Sequence, residues 1–229
     1  MAIATHYKKI SPYDSDTMPR SETRKSNKSH PNHPKFEPSK WRDKYTIMSH
    51  NCHMYALNAV SSHWSRHCRA NLNMVEGTVQ CHRPQIGYFT HMQYESAVQH
   101  TGTNRSVDMA GFTPRTLANR FLRDHEDAFQ LLPDEECPYG YYRIFLYAHT
   151  PSPRNPGKYT GYHFFREDND GTWSHKYGPV AVEGRIRDIR TIMRRYEIPA
   201  NTVAGYFAVP VDEYVYVKRN IRQSLDGAT

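Results

Sequence analysis

The chain has 229 residues, 38% of them hydrophobic and 13% aromatic, which suits one packed domain with an appendage. Its mean hydropathy is -0.83 and no apolar run approaches the roughly 18 residues of a helical membrane span, which argues against a membrane span. The net charge of +7 is uneven: residues 1–44 hold ten of the 30 basic and five of the 23 acidic side chains, leaving a nearly balanced remainder.

Residues 1–40 are rich in Ser, Pro, Lys, Asn and His and show no hydrophobic period. Such a segment buries too little surface to offset its ordering entropy. It is expected to be a disordered basic arm, either a solvated tail or a strand that binds neighbouring subunits or nucleic acid. Residues 41–229 are expected to form one domain. Cys52, Cys68, Cys81 and Cys137 are too few for a dense disulfide framework. With no basic-then-apolar leader at the start, they are expected to be reduced thiols, in the cytoplasm or in a virion.

From Cys52 to about Arg66, Tyr55, Ala56, Ala59, Val60 and Trp64 recur at helical spacing, with Ser49 or Asn51 as cap. Residues 68–112 read as irregular. Thr113 and Pro114 open a second helix, with Leu117, Phe121 and Leu122 as its buried stripe. Tyr141 to His149 reads as a buried strand, and residues 151–160 as an exposed loop. Tyr162–Arg166 and Thr172–Tyr177 flank Asp168-Asn169-Asp170-Gly171, a hairpin signal. A turn centred between Asn169 and Asp170 sets His163 opposite residue 175 or 176. Ile186, Ile189, Met193 and Tyr196 mark a third helix. Val203–Val209 and Glu213–Val217 read as closing strands. Helices first and an antiparallel sheet later make an α+β pattern.

Three contexts carry chemistry. A thiol at a helix N-terminus, Cys52, is placed to ionise in the positive end of the helix dipole. The hairpin register brings His163 and His175 onto one sheet face, within reach of each other. One imidazole can take the Cys52 proton while the other fixes its tautomer. Asn51 or His50 can donate to an oxyanion, beside the Cys52 main-chain N–H. Tyr162 and Trp173 are candidate walls for a substrate.

The blocks Asn51-Cys52-x-x-Tyr55-Ala56-Leu57, Pro84-Gln85-x-Gly87-Tyr88, Tyr162-His163-Phe164-Phe165-Arg166, Asp170-Gly171-x-Trp173-Ser174-His175-Lys176-x-Gly178 and Gly205-Tyr206-Phe207-x-Val209-Pro210 occur in this order. Over residues 45–210 the chain resembles a group of bacterial and viral papain-fold cysteine-hydrolase-like proteins, similar in logic to CHAP-type amidases. The resemblance implies a papain-like fold, Cys52 as nucleophile, His163 as base and His175 as orienting residue, acting on a peptide or amide without a cofactor. His53, Met54, Ala204 and Ala208 depart from those blocks.

Other constellations compete. His63 and His67, with Cys68, Cys81 and His82, form a weak zinc pattern that matches no familiar finger, so no metal is expected. Arg185, Arg187, Arg190, Arg194 and Arg195 suit an acidic partner or a solvated helix face. Tyr214 and Tyr216 read as sheet residues rather than base-stacking platforms. The alternative to an enzyme is a structural protein of a viral particle or other large complex, with the arm threading into neighbouring subunits.

Overall fold

A computed structural model of the chain describes residues 33–72, 86, 113–149 and 161–212, the side chains of residues 67, 71 and 72 excepted. The expected arm up to residue 32, most of the irregular stretch, the loop at 151–160 and the strand at 213–217 lie outside the described residues.

The centre is β2 (Tyr141–Ala148), a run buried on both faces. Alternation turns Tyr142, Ile144 and Leu146 to one side and Phe145 and Tyr147 to the other. Around it lies a six-stranded sheet in the order β1-β6-β2-β3-β4-β5. The other strands are β1 (Phe129–Leu131), β3 (Tyr162–Glu167), β4 (Trp173–Lys176), β5 (Val182–Ile186) and β6 (Val203–Pro210), and every neighbouring pair is antiparallel. The α+β pattern is therefore present, with a cysteine-bearing helix packed on an antiparallel sheet.

Helices cover both faces. α1 (Lys44–Ser49) packs on α3 (Ser62–Leu72), and α2 (Cys52–Ala56) and α4 (Pro114–Asp124) pack on the sheet. Met54, Leu57, Trp64, Leu117 and Phe121 meet Ile144, Leu146, Phe164 and Phe207 there. On the opposite face, Ile192 of α5 (Ile189–Arg195) and Ile198 meet Phe145, Phe165, Trp173 and Ile186. α4 starts where Thr113 and Pro114 predict, with a reciprocal Thr113–Thr116 capping box.

The single helix expected from Cys52 to Arg66 is instead two. Asn58 adopts a left-handed φ of 52°. Its N–H bonds to Tyr55 O at 2.9 Å and that of Ala59 to Met54 O at 2.9 Å, the double closure of a Schellman stop. α1, β1 and β5 were not legible in the pattern. The hairpin register also differs from expectation. Arg166 faces Ser174 and Glu167 faces Trp173. Asp168 N–H bonds to Thr172 O and Gly171 takes φ 76°, so the loop has three residues and not two. His163 and His175 are thus diagonal neighbours on one face. Cys68 is disulfide-bonded, which corrects the expectation of four reduced thiols; Cys52 and Cys137 are free.

Residues 33–40 belong to the folded part, ahead of the expected start at Trp41. Pro34 O accepts from Asn169 N–H at 2.9 Å, and the Phe36 ring lies where a Cβ on Gly184 would stand. A 3₁₀ turn at Pro38–Trp41 then buries Trp41 against Tyr55.

One buried cation ties these pieces together. Arg166 is 1% exposed and pairs with Asp168 at 2.8 Å. Its other N–H groups donate to Tyr55 O (3.2 Å), Asn58 Oδ1 (3.1 Å) and Lys35 O (3.3 Å), and the guanidinium stacks on the Tyr55 ring. Removing one member of a buried pair strands the other. Arg166→Met is predicted to cost about 3–5 kcal/mol in urea unfolding. A loss below about 1 kcal/mol, the ordinary scale of an exposed pair, would contradict this assignment.

Candidate active site

The site begins with the turn between α1 and α2. Asn51 is the N-cap of α2, its Oδ1 accepting from Met54 N–H at 3.1 Å. That cap makes Cys52 the first helical residue, as expected. It also commits the Asn51 side-chain oxygen. His50 is fully buried, and its Nε2 accepts from Ser61 N–H at 2.9 Å. The ring proton therefore sits on Nδ1, which donates to Thr46 O at 3.1 Å. With both nitrogens engaged, His50 holds the turn rather than an oxyanion. The buried Lys176 Nζ adds bonds to Ile47 O (2.7 Å), His50 O (2.6 Å) and Gly178 O.

Cys52 meets the edge of β3. Gly161 O accepts from His149 N–H, so Gly161 faces β2, and the alternating Tyr162 and Phe164 turn their main-chain groups the other way, toward β4. β4 pairs with β3 only at its far end, opposite Arg166 and Glu167. The Cys52 thiol occupies the free edge, with Sγ 4.0 Å from Tyr162 O. The main-chain N–H of Phe164 also bears on it. The thiol thus lies against the backbone on either side of His163. Burial pushes it up to about 11, although the N–H groups of Phe164, His53 and Cys52 and the charge of Lys176 pull it down.

The two histidines expected to touch do touch. His163 Nε2 and His175 Nδ1 are 2.8 Å apart, with the rings nearly perpendicular. They lie on the α5 face of the sheet. Among the described residues, no hydrogen bond joins Cys52 to His163. Burial, then His175 and His149, hold His163 well below its usual range. His175 is also lowered by burial, partly offset by Glu183. Its Nε2 lies 2.8 Å from Tyr196 Oη and 3.5 Å from Glu183 Oε2, and Glu183 pairs with Arg195 at 2.5 Å. Neither Tyr196 nor Glu183 stood out as a site residue in the sequence. Tyr196 falls in the apolar stripe of the expected third helix, and Glu183 lies on a strand with no clear alternation.

Trp173 and Tyr162 are both buried. Trp173 packs with Ile186 and Ile192 on the α5 face. Tyr162 lies on the α2 face, its hydroxyl accepting from Ile86 N–H at 3.1 Å. Among the described residues no group of three or more His, Cys, Asp or Glu is placed to hold a metal ion, and no helix is long and apolar enough to cross a membrane. Cys81 and His82 of the zinc pattern lie outside the described residues. Of the arginine cluster, Arg187 pairs with Asp188 at 2.9 Å. No protein-family model, curated protein or solved structure matches the chain.

The buried imidazoles predict a pH dependence. Burial lowers His50 to about 4, so the folded state binds its proton less readily than the unfolded chain does. This stability is fully present above the ordinary histidine value of about 6.5 and is lost as pH falls toward 4; His50 alone contributes about 3 kcal/mol. His163, His175 and His149 act in the same direction. Asp168, raised by burial, opposes them at the acid end. Urea unfolding between pH 7.5 and 4 is expected to show a steep loss of stability on acidification. A flat or rising profile would contradict the neutral assignments.

Proposed function

We propose that this chain is a papain-like cysteine hydrolase, a peptidase or amidase that works through a thioester. The observation that carries the reading is the 2.8 Å contact from His163 Nε2 to His175 Nδ1, beside a thiol seated on the main chain that flanks His163. With Nε2 engaged by the orienting group, Nδ1 is the atom of His163 left to serve the thiol. His163 takes the Cys52 proton as Sγ bonds to the substrate carbonyl carbon. The carbonyl electron pair moves to oxygen, which the Cys52 main-chain N–H and the Asn51 side chain stabilise. The C–N bond then breaks, His163 returns the proton to the departing amine, and water hydrolyses the thioester.

The electrostatics favour a neutral resting pair. The thiol is raised and the imidazole lowered, both by burial. Proton transfer therefore accompanies attack, instead of a standing thiolate waiting beside an imidazolium.

A second reading has its own observation. Cys52 is buried, raised to about 11 and not bonded to His163, as suits a fold used as a scaffold. Under that reading the chain is a structural or assembly protein, with the part of the expected basic arm that precedes residue 33 as the docking arm for subunits or nucleic acid.

Iodoacetamide alkylation at pH 7.5, followed by peptide mass mapping, separates the two. The hydrolase reading predicts that Cys52 is alkylated faster than Cys137, and that His163→Ala slows it by about 10²-fold, the low end of general-base contributions. Equal rates at the two thiols, with no effect of His163→Ala, would favour the scaffold.

A further inference from the structure

The histidine pair does not end at His175. Glu183 on β5 is the direct cross-strand partner of His175, with Oε2 3.5 Å from its Nε2. Tyr196, just past α5, brings its hydroxyl to 2.8 Å from the same nitrogen. Glu183 and Arg195 close the outer end at 2.5 Å. Among the described residues, Tyr147 on β2, His149, and Tyr177, whose ring centroid lies 4.9 Å from that of His163, also face the pair.

We propose that Glu183 and Tyr196 are positioning residues that fix the direction of hydrogen bonding through both histidines, so that His163 presents a lone pair at Nδ1. The proposal rests on the cysteine-hydrolase reading. An ionised carboxylate only accepts hydrogen bonds. Facing Glu183 and the Tyr196 oxygen, His175 Nε2 carries the ring proton. A neutral His175 then has its lone pair on Nδ1 and accepts from His163 Nε2–H. A neutral His163 donating from Nε2 has its own lone pair on Nδ1, the form a base requires. The opposite direction, with His175 donating from Nδ1, puts a proton on His163 Nδ1 and removes the base. It also aims the bare Nε2 lone pair of His175 at a carboxylate. Burial, and then Glu183, push the Tyr196 hydroxyl up to about 12, so it stays protonated and donates onward. Arg195 Nη2 meets the other oxygen of the same carboxylate, Glu183 Oε1, at 2.5 Å, so both carboxylate oxygens face donors.

The test uses the full chain labelled with ¹⁵N, at pH 7.5, where both rings are neutral. Long-range ¹H–¹⁵N spectra of the imidazoles are expected to show protonated Nε2 and bare Nδ1 on both His163 and His175. Glu183→Ala and Tyr196→Phe are expected to give mixed tautomers at His175 and to slow Cys52 alkylation at least tenfold, with Glu183→Asp recovering part of the rate. A protonated Nδ1 on wild-type His175 overturns the proposal, and so do variants with unchanged tautomers and wild-type rates. Should a variant fail to fold, the wild-type spectra still decide. If alkylation is independent of His163, the hydrolase reading falls on its own, and the tautomers alone judge the relay.

Discussion

The buried guanidinium of Arg166 is the constraint on which the rest of the molecule depends. A charge withdrawn from water must have its donors satisfied, or it costs several kcal/mol. Arg166 satisfies them with Asp168, the Tyr55 carbonyl, Asn58 and the Lys35 carbonyl. Those partners come from the hairpin, the C-terminal end of α2, the left-handed stop and the N-terminal segment. The Tyr55 hydroxyl adds a 2.7 Å bond to Ser174, locking α2 to β4. The end of α2 is therefore pinned to the far end of the hairpin. Since α2 is only five residues long, pinning its end also sets its start. Lys176 does the same from the other side, by gathering the carbonyls around the α1–α2 turn. Two buried cations thus clamp the turn that carries Cys52 against the edge of β3.

This clamp explains how a thiol and a histidine pair come from different faces of the sheet. Tyr162, Phe164 and Arg166 point to α2, while His163 and Phe165 point to α5. The thiol reaches the main chain of β3 because β4 has parted from it there. Sγ lies 4.0 Å from Tyr162 O and in reach of the Phe164 N–H, the main-chain groups on either side of His163. Burial raises the pKa of Sγ there, while the Phe164 N–H of that edge pulls it down.

Features governed by local rules could be read from the sequence. Thr113-Pro114 announced α4 because a cap and a fixed φ act within one turn. The aromatic run at Tyr141 announced β2, and the Asp-Asn-Asp-Gly turn announced the hairpin. Cys52 at a helix start followed from the Asn51 cap. What escaped was set by distant partners. The break at Asn58 depends on a left-handed turn held by Arg166, while the apolar spacing ran straight through it. The register slipped because Gly171 made a longer loop than the turn residues alone suggested. β5 is half-buried, with Arg185 at φ 61°, and shows no period. Glu183 and Tyr196 meet His175 only once β5 and α5 are folded over it.

The central claim is that Cys52 becomes an acyl carrier when His163 takes its proton. The most direct measurement is stopped-flow reaction of the full chain with p-nitrophenyl acetate, combined with mass mapping of the acylated residue. The account predicts a burst of about one equivalent of p-nitrophenol, acetyl on Cys52, and loss of the burst in both Cys52→Ala and His163→Ala. A linear trace without a burst, or acetyl found elsewhere at the same rate in Cys52→Ala, would contradict it.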